Sequence, residues 1–246
     1  MTIVVFHKGS MLCDSLSRFS ENNSAPHRGR NASAGVVKIL PAPQGTPKFV
    51  TADGELKEPD YVGGAGSTQG LRAKRLFIAE LLNAFGLENF VPGNYDLETG
   101  NIPINESRLT LQLFRVGEQC FVVEYDGKAL FISELKDEEI IGSGEKDFLF
   151  LLKAIFGDKN HTLKEKYATL NFMLMAGKSP DIGGDIGVLL RETDNVEYEA
   201  PNLSEEQREL LLTSYKANLQ RLKLGEVAVQ ETEEPEPVES TETTKE

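Results

Sequence analysis

The chain predicts an α+β fold of layered antiparallel sheets with helices stacked outside. Three observations predict it. Short apolar runs rich in β-branched residues are joined by tight Gly-containing turns, which is the pattern of antiparallel hairpins. Stretches with a 3.6-residue apolar period occupy separate parts of the chain. The two kinds are segregated as strands, helix, strands, two helices, strands, helix, rather than alternating in βαβ units.

Met1-Thr2-Ile3-Val4-Val5-Phe6 is apolar, is broken by His7-Lys8-Gly9-Ser10 and is followed by Met11-Leu12-Cys13-Asp14-Ser15, so the chain opens on a hairpin. The segment from Ser15 to Gly35 has no apolar period and reads as a long surface loop, made locally basic by Arg18, Arg28 and Arg30. Val36 to Leu40 is the next strand. After Pro41, Pro43 and Pro47, Lys48-Phe49-Val50-Thr51 resumes it before the turn at Asp53-Gly54. Tyr61-Val62 then runs into Gly63-Gly64-Ala65-Gly66-Ser67-Thr68, where glycines let backbone approach backbone or ligand.

From Ser67 a helical period carries Leu71, Leu76, Ile78, Leu81, Leu82 and Phe85 and stops at Gly86. Leu87 to Ser107, with Pro92, Gly93, Gly100 and Pro103, reads as irregular. Leu109 to Val116, Gln119 to Tyr125 and Ala129 to Ser133 form an antiparallel meander. Ile140-Ile141 enters Gly142-Ser143-Gly144, and helices follow over Glu145 to about Phe156 and about Leu163 to Met175, the methionines there serving as core filler. A turn at Pro180-Asp181-Ile182-Gly183-Gly184 leads to a strand from Asp185 to Leu190, with Asn195 to Glu199 as its partner. Ser204-Glu205-Glu206-Gln207 is a capping box opening a last helix to about Leu224.

With 246 residues and 39% hydrophobic content the chain can bury one sizeable core, so residues 1–225 are expected to form one domain. Residues 226–246, rich in Glu, Thr and Pro, are expected to be a disordered acidic tail. The net charge of −13 argues against nucleic-acid binding, since phosphate affinity needs clustered Lys and Arg. Cys13 and Cys120 lie in strand-like runs and read as buried thiols in a reducing, cytoplasmic compartment. No secretory signal or membrane span is expected: Lys8 and Gly9 cut the first apolar run, and the run from Phe148 to Phe156 includes Lys153. His7, His27 and His161 have no metal-ligand spacing, so neither a metal nor a cofactor is expected.

The candidate chemistry sits at the second residue. Initiator Met is normally trimmed before a residue as small as Thr, which would leave Thr2 with a free α-amine and a hydroxyl. An α-amine titrates at about 7.7–8.0, so near neutrality a fraction can take the hydroxyl proton, making one residue both nucleophile and base.

Four motifs in this order, Thr2 at the start, Asp14-Ser15 closing the hairpin, Gly64-Ala65-Gly66 before a helix and Ile141-Gly142-Ser143-Gly144 before another, resemble a proteasome β-type subunit. More widely the chain resembles the N-terminal-nucleophile hydrolases, including the bacterial ring protease that works with an ATP-driven unfoldase. The resemblance spans roughly Thr2 to Leu190 and implies a four-layer αββα sandwich with antiparallel sheets. It further implies a threonine-type peptidase in which Thr2 is the nucleophile and Asp14 pairs with a lysine. The match to that lysine is Lys48, because its strand and the Asp53-Gly54 turn lead straight to the glycine cluster, with Lys38 as the rival. Gly66 resembles the oxyanion donor, and Ser143 the serine beside the terminal amine. The family's late acid has no direct counterpart before Gly183-Gly184, and Asp181 stands in for it. The implied partners are a peptide or protein substrate, a homo-oligomeric ring and, as a candidate, an ATP-dependent unfoldase. The rivals are a catalytically inactive proteasome-like subunit and an amidase acting on small molecules with the same Thr2 chemistry.

Overall fold

The computed structural model describes residues 3–17, 34–35, 37–42, 45–65, 82, 85–96, 110–125, 129–135, 137–176 and 182–231. In chain order the first strands are β1 (Val4–His7), β2 (Ser10–Asp14), β3 (Leu16–Ser17), β4 (Ala34–Gly35), β5 (Ile39–Pro41), β6 (Phe49–Val50), β7 (Leu56–Lys57) and β8 (Tyr61–Ala65). Next come β9 (Gly93–Asp96), β10 (Thr110–Val116), β11 (Gln119–Tyr125), β12 (Ala129–Leu135) and β13 (Glu138–Ile141). Helices α1 (Glu145–Phe156) and α2 (Leu163–Ala176), strands β14 (Ile186–Leu189) and β15 (Glu197–Glu199), and helix α3 (Glu205–Glu231) complete the order.

β1 and β2 form the expected hairpin. Lys8 and Gly9 close it with φ of 47° and 85°, the left-handed pair whose twist suits a two-residue hairpin turn. Val4 lies opposite Cys13 in β2 and opposite Ile141 in β13, so the hairpin sits inside a five-stranded antiparallel sheet ordered β13-β1-β2-β14-β15. A second antiparallel sheet is ordered β5-β8-β10-β11-β12-β9, with the expected meander at its centre.

The first strands are apolar without alternation because the first sheet is covered on both faces. Ile3, Val5, Leu12, Ile140 and Ile186 face Phe148, Leu151, Leu152 and Ile155 of α1, Leu170 and Met173 of α2 and Leu211 of α3. Val4, Phe6, Met11 and Cys13 face the second sheet, meeting Ile39, Tyr61, Leu113 and Cys120. Burying a side chain of this size stabilises by roughly 1.5–3 kcal/mol, so this layer is the fold's main cohesion. Gly63 sets the spacing of the sheets: a Cβ there would lie 2.7 Å from Val4 Cγ1 and 2.8 Å from Met11 Cε.

The outer face of the second sheet is also apolar. Phe114, Val116, Phe121, Val123 and Tyr125 pack there with Phe49, Leu82 and Phe90, and the Phe49 and Phe90 rings stack at 4.3 Å between centroids. The helix expected from Ser67 to Phe85 falls outside the described residues except at Leu82, which is helical and buried, and at Phe85, which lies in the turn after it and packs on this face. Helices, sheet, sheet and an apolar outer cover therefore follow in the expected layered α+β order.

Several elements differ from expectation. β9 lies in the stretch expected to be irregular, added to the sheet edge by pairing with β12, Ala129 opposite Asp96. Pairing of this kind is supplied by the neighbour strand, and no local apolar alternation announces it. Helix α3 continues past Gly225 to Glu231, beyond the expected end at about Leu224. Of the expected acidic tail, residues 232–246 lie outside the described residues. The loop from Ser15 to Gly35 is anchored at its ends by β3 pairing with β4.

Candidate functional site

Asp14 ends β2 with 0% of its surface exposed. A carboxylate withdrawn from water costs several kcal/mol unless donors replace the lost hydration. Among the described residues three donors surround it. Lys38 Nζ lies 2.6 Å from Oδ1, the Ile3 N–H donates to the same oxygen at 2.9 Å, and the Gly183 N–H donates to Oδ2 at 3.4 Å. Lys38 is itself only 3% exposed, so ammonium and carboxylate are buried as a pair. The hairpin fixes one partner, because the Asp14 N–H also donates to the Ile3 carbonyl. The second sheet fixes the other: Lys38 immediately precedes β5, and the Gly64 N–H donates to its carbonyl at 3.3 Å.

The lysine expected to pair with Asp14 was Lys48, and the geometry corrects that expectation. Lys48 Nζ pairs with Glu58 at 3.2 Å, and its side chain is 47% exposed. The cause is its neighbour: Phe49 is driven into the aromatic cluster on the outer face of the second sheet, whereas Asp14 ends β2 in the first sheet. The signal that points to Lys38 is its setting in Val36-Val37-Lys38-Ile39-Leu40, a lone charge in an apolar run, which must find a counter-charge if the run is buried.

Ser143 lies on the turn between β13 and α1, exposed, with Gly144 as the residue that caps the helix. A Cβ on Gly144 would lie 2.7 Å from Ile3 Cγ1 and would also meet Ile182, so this turn, the chain start and the Gly183 segment crowd one corner. Ser15 Oγ accepts the Asp185 N–H at 2.7 Å and ties the same segment to the end of the hairpin. Thr2, Gly66 and Asp181 lie outside the described residues, although Ile3, Ala65 and Ile182, the residues bonded to them, are within. The corner thus gathers Asp14, Lys38, Ile3, Gly144 and Gly183, of which Lys38 was the rival reading and the Ile3 and Gly183 amides carried no side-chain signal.

Both cysteines are free and buried. Burial, with the Asp14 carboxylate adding to it, pushes the Cys13 thiol up to about 12, and burial likewise raises Cys120. Neither is poised as a thiolate nucleophile. Among the described residues no group of three His, Cys, Asp or Glu is placed to hold a metal ion. No described helix is long and apolar enough to cross a membrane.

A second ionic cluster, built on the buried Lys166, lies at the other end of β1. Lys166 Nζ of α2 stands 2.6 Å from Glu138 Oε2 and 3.1 Å from His7 Nδ1, and His7 Nδ1 is 3.0 Å from Glu138 Oε1.

No protein-family profile matches the sequence, and no curated protein matches it. Solved structures with a similar arrangement include a Gly-1 mutant of Anbu from Hyphomicrobium sp. strain MC1, at 14% identity and a TM-score of 0.46 over 96% of this chain and 100% of that one. Anbu from Yersinia bercovieri, described as an ancestral beta-subunit, is similar at 10% identity and a TM-score of 0.44, covering 96% of this chain and 99% of that chain. Thiobacillus denitrificans BPH in complex with epoxomicin is similar at 16% identity and a TM-score of 0.41, covering 76% of this chain and 96% of that chain. What the site of this chain can do is read from its own residues.

Proposed function

We propose that this chain is an N-terminal-nucleophile hydrolase, a threonine-type peptidase, with Thr2 exposed by removal of Met1. The observation that carries the reading is the buried Asp14–Lys38 pair, one of whose carboxylate oxygens also holds the Ile3 N–H, part of the peptide bond to Thr2. A buried ion pair is seldom kept for stability alone, since hydrophobic residues of similar volume hold a core as well. Next to a terminal amine it has a chemical use: the Lys38 ammonium favours the neutral amine, and Asp14 holds the ammonium there.

In this mechanism the neutral Thr2 amine takes the Oγ proton as Oγ bonds to the substrate's amide carbon. The Gly66 N–H donates to the oxyanion that forms, a preorganised contact worth roughly 10²–10³ in rate where such donors have been removed. The C–N bond then breaks, and the leaving amine takes the proton from the Thr2 ammonium. Water attacks the resulting ester, giving its proton to the same amine, and the carboxylic acid leaves with Thr2 restored. Ser143 would hydrogen-bond beside the amine and Asp181 would add an acid at the Gly183 corner. The same reading has the protein act on peptide or protein substrates in the cytoplasm as a homo-oligomer, with an ATP-dependent unfoldase as candidate partner.

The test is turnover of fluorogenic peptides by the wild-type chain, Thr2→Ala and Lys38→Met. Activity in the wild type and only background in Thr2→Ala is expected. Full activity in Thr2→Ala overturns the mechanism, and an inactive wild type indicates a fold kept as a non-catalytic subunit.

A further inference from the structure

Tyr198 lies on the edge strand β15, yet its side chain reaches the catalytic corner through a gap in the sheet. Gly187 in β14 is opposite Tyr198 on one side and opposite Cys13 on the other. A Cβ at Gly187 would lie 2.6 Å from Cys13 Sγ and 2.8 Å from Tyr198 Cε1, so only glycine leaves room for the ring to cross its strand. Having crossed, the Tyr198 hydroxyl accepts the Lys38 N–H at 3.2 Å and stands 3.9 Å from Cys13 Sγ. The Ile39 amide is a further backbone partner of the same hydroxyl. A side chain rooted in the first sheet therefore holds the backbone of Lys38, which belongs to the second, at the residue next to Asp14.

We propose that Tyr198, admitted by Gly187, is a positioning residue that sets the Lys38 ammonium relative to Asp14 and so tunes the Thr2 amine. This role rests on the hydrolase reading given above. Lys38 contributes only if its charge stays close to the amine. Lys38 is 24 positions from Asp14 in sequence, and the Gly64 contact to its carbonyl at 3.3 Å leaves its N–H to be held by Tyr198. Tyr198→Phe keeps the ring in its slot and removes only the hydroxyl, with its contacts to the Lys38 N–H and Cys13 Sγ.

The test combines kinetics with competitive acetylation of the Thr2 α-amine across pH, read by mass spectrometry of the N-terminal peptide, which needs no turnover. In Tyr198→Phe the kcat is expected to fall about tenfold to a hundredfold, as for a modest misplacement of a catalytic group, with KM unchanged. The amine's midpoint should rise towards the ordinary value of about 7.7–8.0, carrying the acid limb of the kcat/KM profile with it. Gly187→Ala, which crowds the ring, should shift both in the same direction, and Lys38→Met should shift the midpoint at least as far. An active wild type whose midpoint and kcat are unchanged in Tyr198→Phe overturns the positioning role alone. A wild type that retains Met1, or that is inactive with the Thr2 amine exposed, overturns the hydrolase reading and this role with it.

Discussion

Lys38 Nζ stands 2.6 Å from Asp14 Oδ1 with both side chains withdrawn from solvent, one from each of the two sheets. Removing one member of such a pair leaves the other charged and unpaired, which typically destabilises by about 3–5 kcal/mol. Lys38→Met should therefore lower the unfolding midpoint in urea as well as abolish turnover. Lys48→Ala removes only an exposed pair with Glu58 and should cost at most about 1 kcal/mol, with turnover unchanged. The opposite ranking of the two variants would restore Lys48 to the site.

The cluster at the other end of β1 gives a pH dependence. Burial, reinforced by the Lys166 and Lys8 ammonium groups and opposed by Glu138, holds the His7 ring below its ordinary 6.5. As pH falls through 6.5 the unfolded chain takes up this proton while the native chain resists, so stability is lost on acidification and not regained. Glu138 adds in the same direction at lower pH, as pH falls below 4.5. Burial raises its carboxyl, but Lys166 and His7 more than offset that and hold it below the usual carboxylate range. The urea midpoint should drop between pH 7 and pH 5, and the drop should be smaller in His7→Gln. Equal drops in both proteins would exclude His7 as the cause.

The two thiols offer a chemical check on the layer between the sheets. Burial raises both, Cys13 to about 12, so neither has thiolate character near neutrality. A disulfide reagent at pH 8 should leave the native protein unmodified and label both cysteines after unfolding. Rapid labelling of the folded chain would mean that the sheets do not pack as described.

Gly144 is tested by Gly144→Ala. The added methyl would press on Ile3, and overpacking of this kind typically costs about 1–3 kcal/mol. Because Ile3 carries both the bond to Thr2 and the hydrogen bond to Asp14, turnover should fall together with the melting temperature. An unaltered melting curve would show that the corner is looser than the Gly144–Ile3 approach implies.

How far the fold can be read from sequence varies by element, for physical reasons. The first hairpin, the meander and α1 have strong local signals: apolar runs bounded by Gly turns, and a helical stripe that stops at Gly157. The capping box at Ser204 also forms, with the Gln207 N–H donating to Ser204 Oγ at 3.2 Å and Gln207 Oε1 accepting the Ser204 N–H. Strand β9 was not legible because its partner β12 holds it in place. At the candidate site, Asp14 was singled out only by the family resemblance, since its position closing the hairpin alone also suits an ordinary turn residue. Its true partner was harder to read, because Lys38 and Lys48 each stand beside or within a strand-like run. The choice is made by which sheet face each run presents, and Phe49 settles that only once the second sheet exists. Tyr198 was invisible for a similar reason: its reach depends on a glycine in a neighbouring strand.

The most direct test of an N-terminal Thr2 nucleophile is the intact mass of the purified protein before and after incubation with an epoxyketone probe, which traps an N-terminal threonine through its amine and hydroxyl together. The predicted result is loss of Met1 and one added probe per chain, with no adduct in Thr2→Ala. Met1 retained and no adduct on the wild-type chain would contradict it.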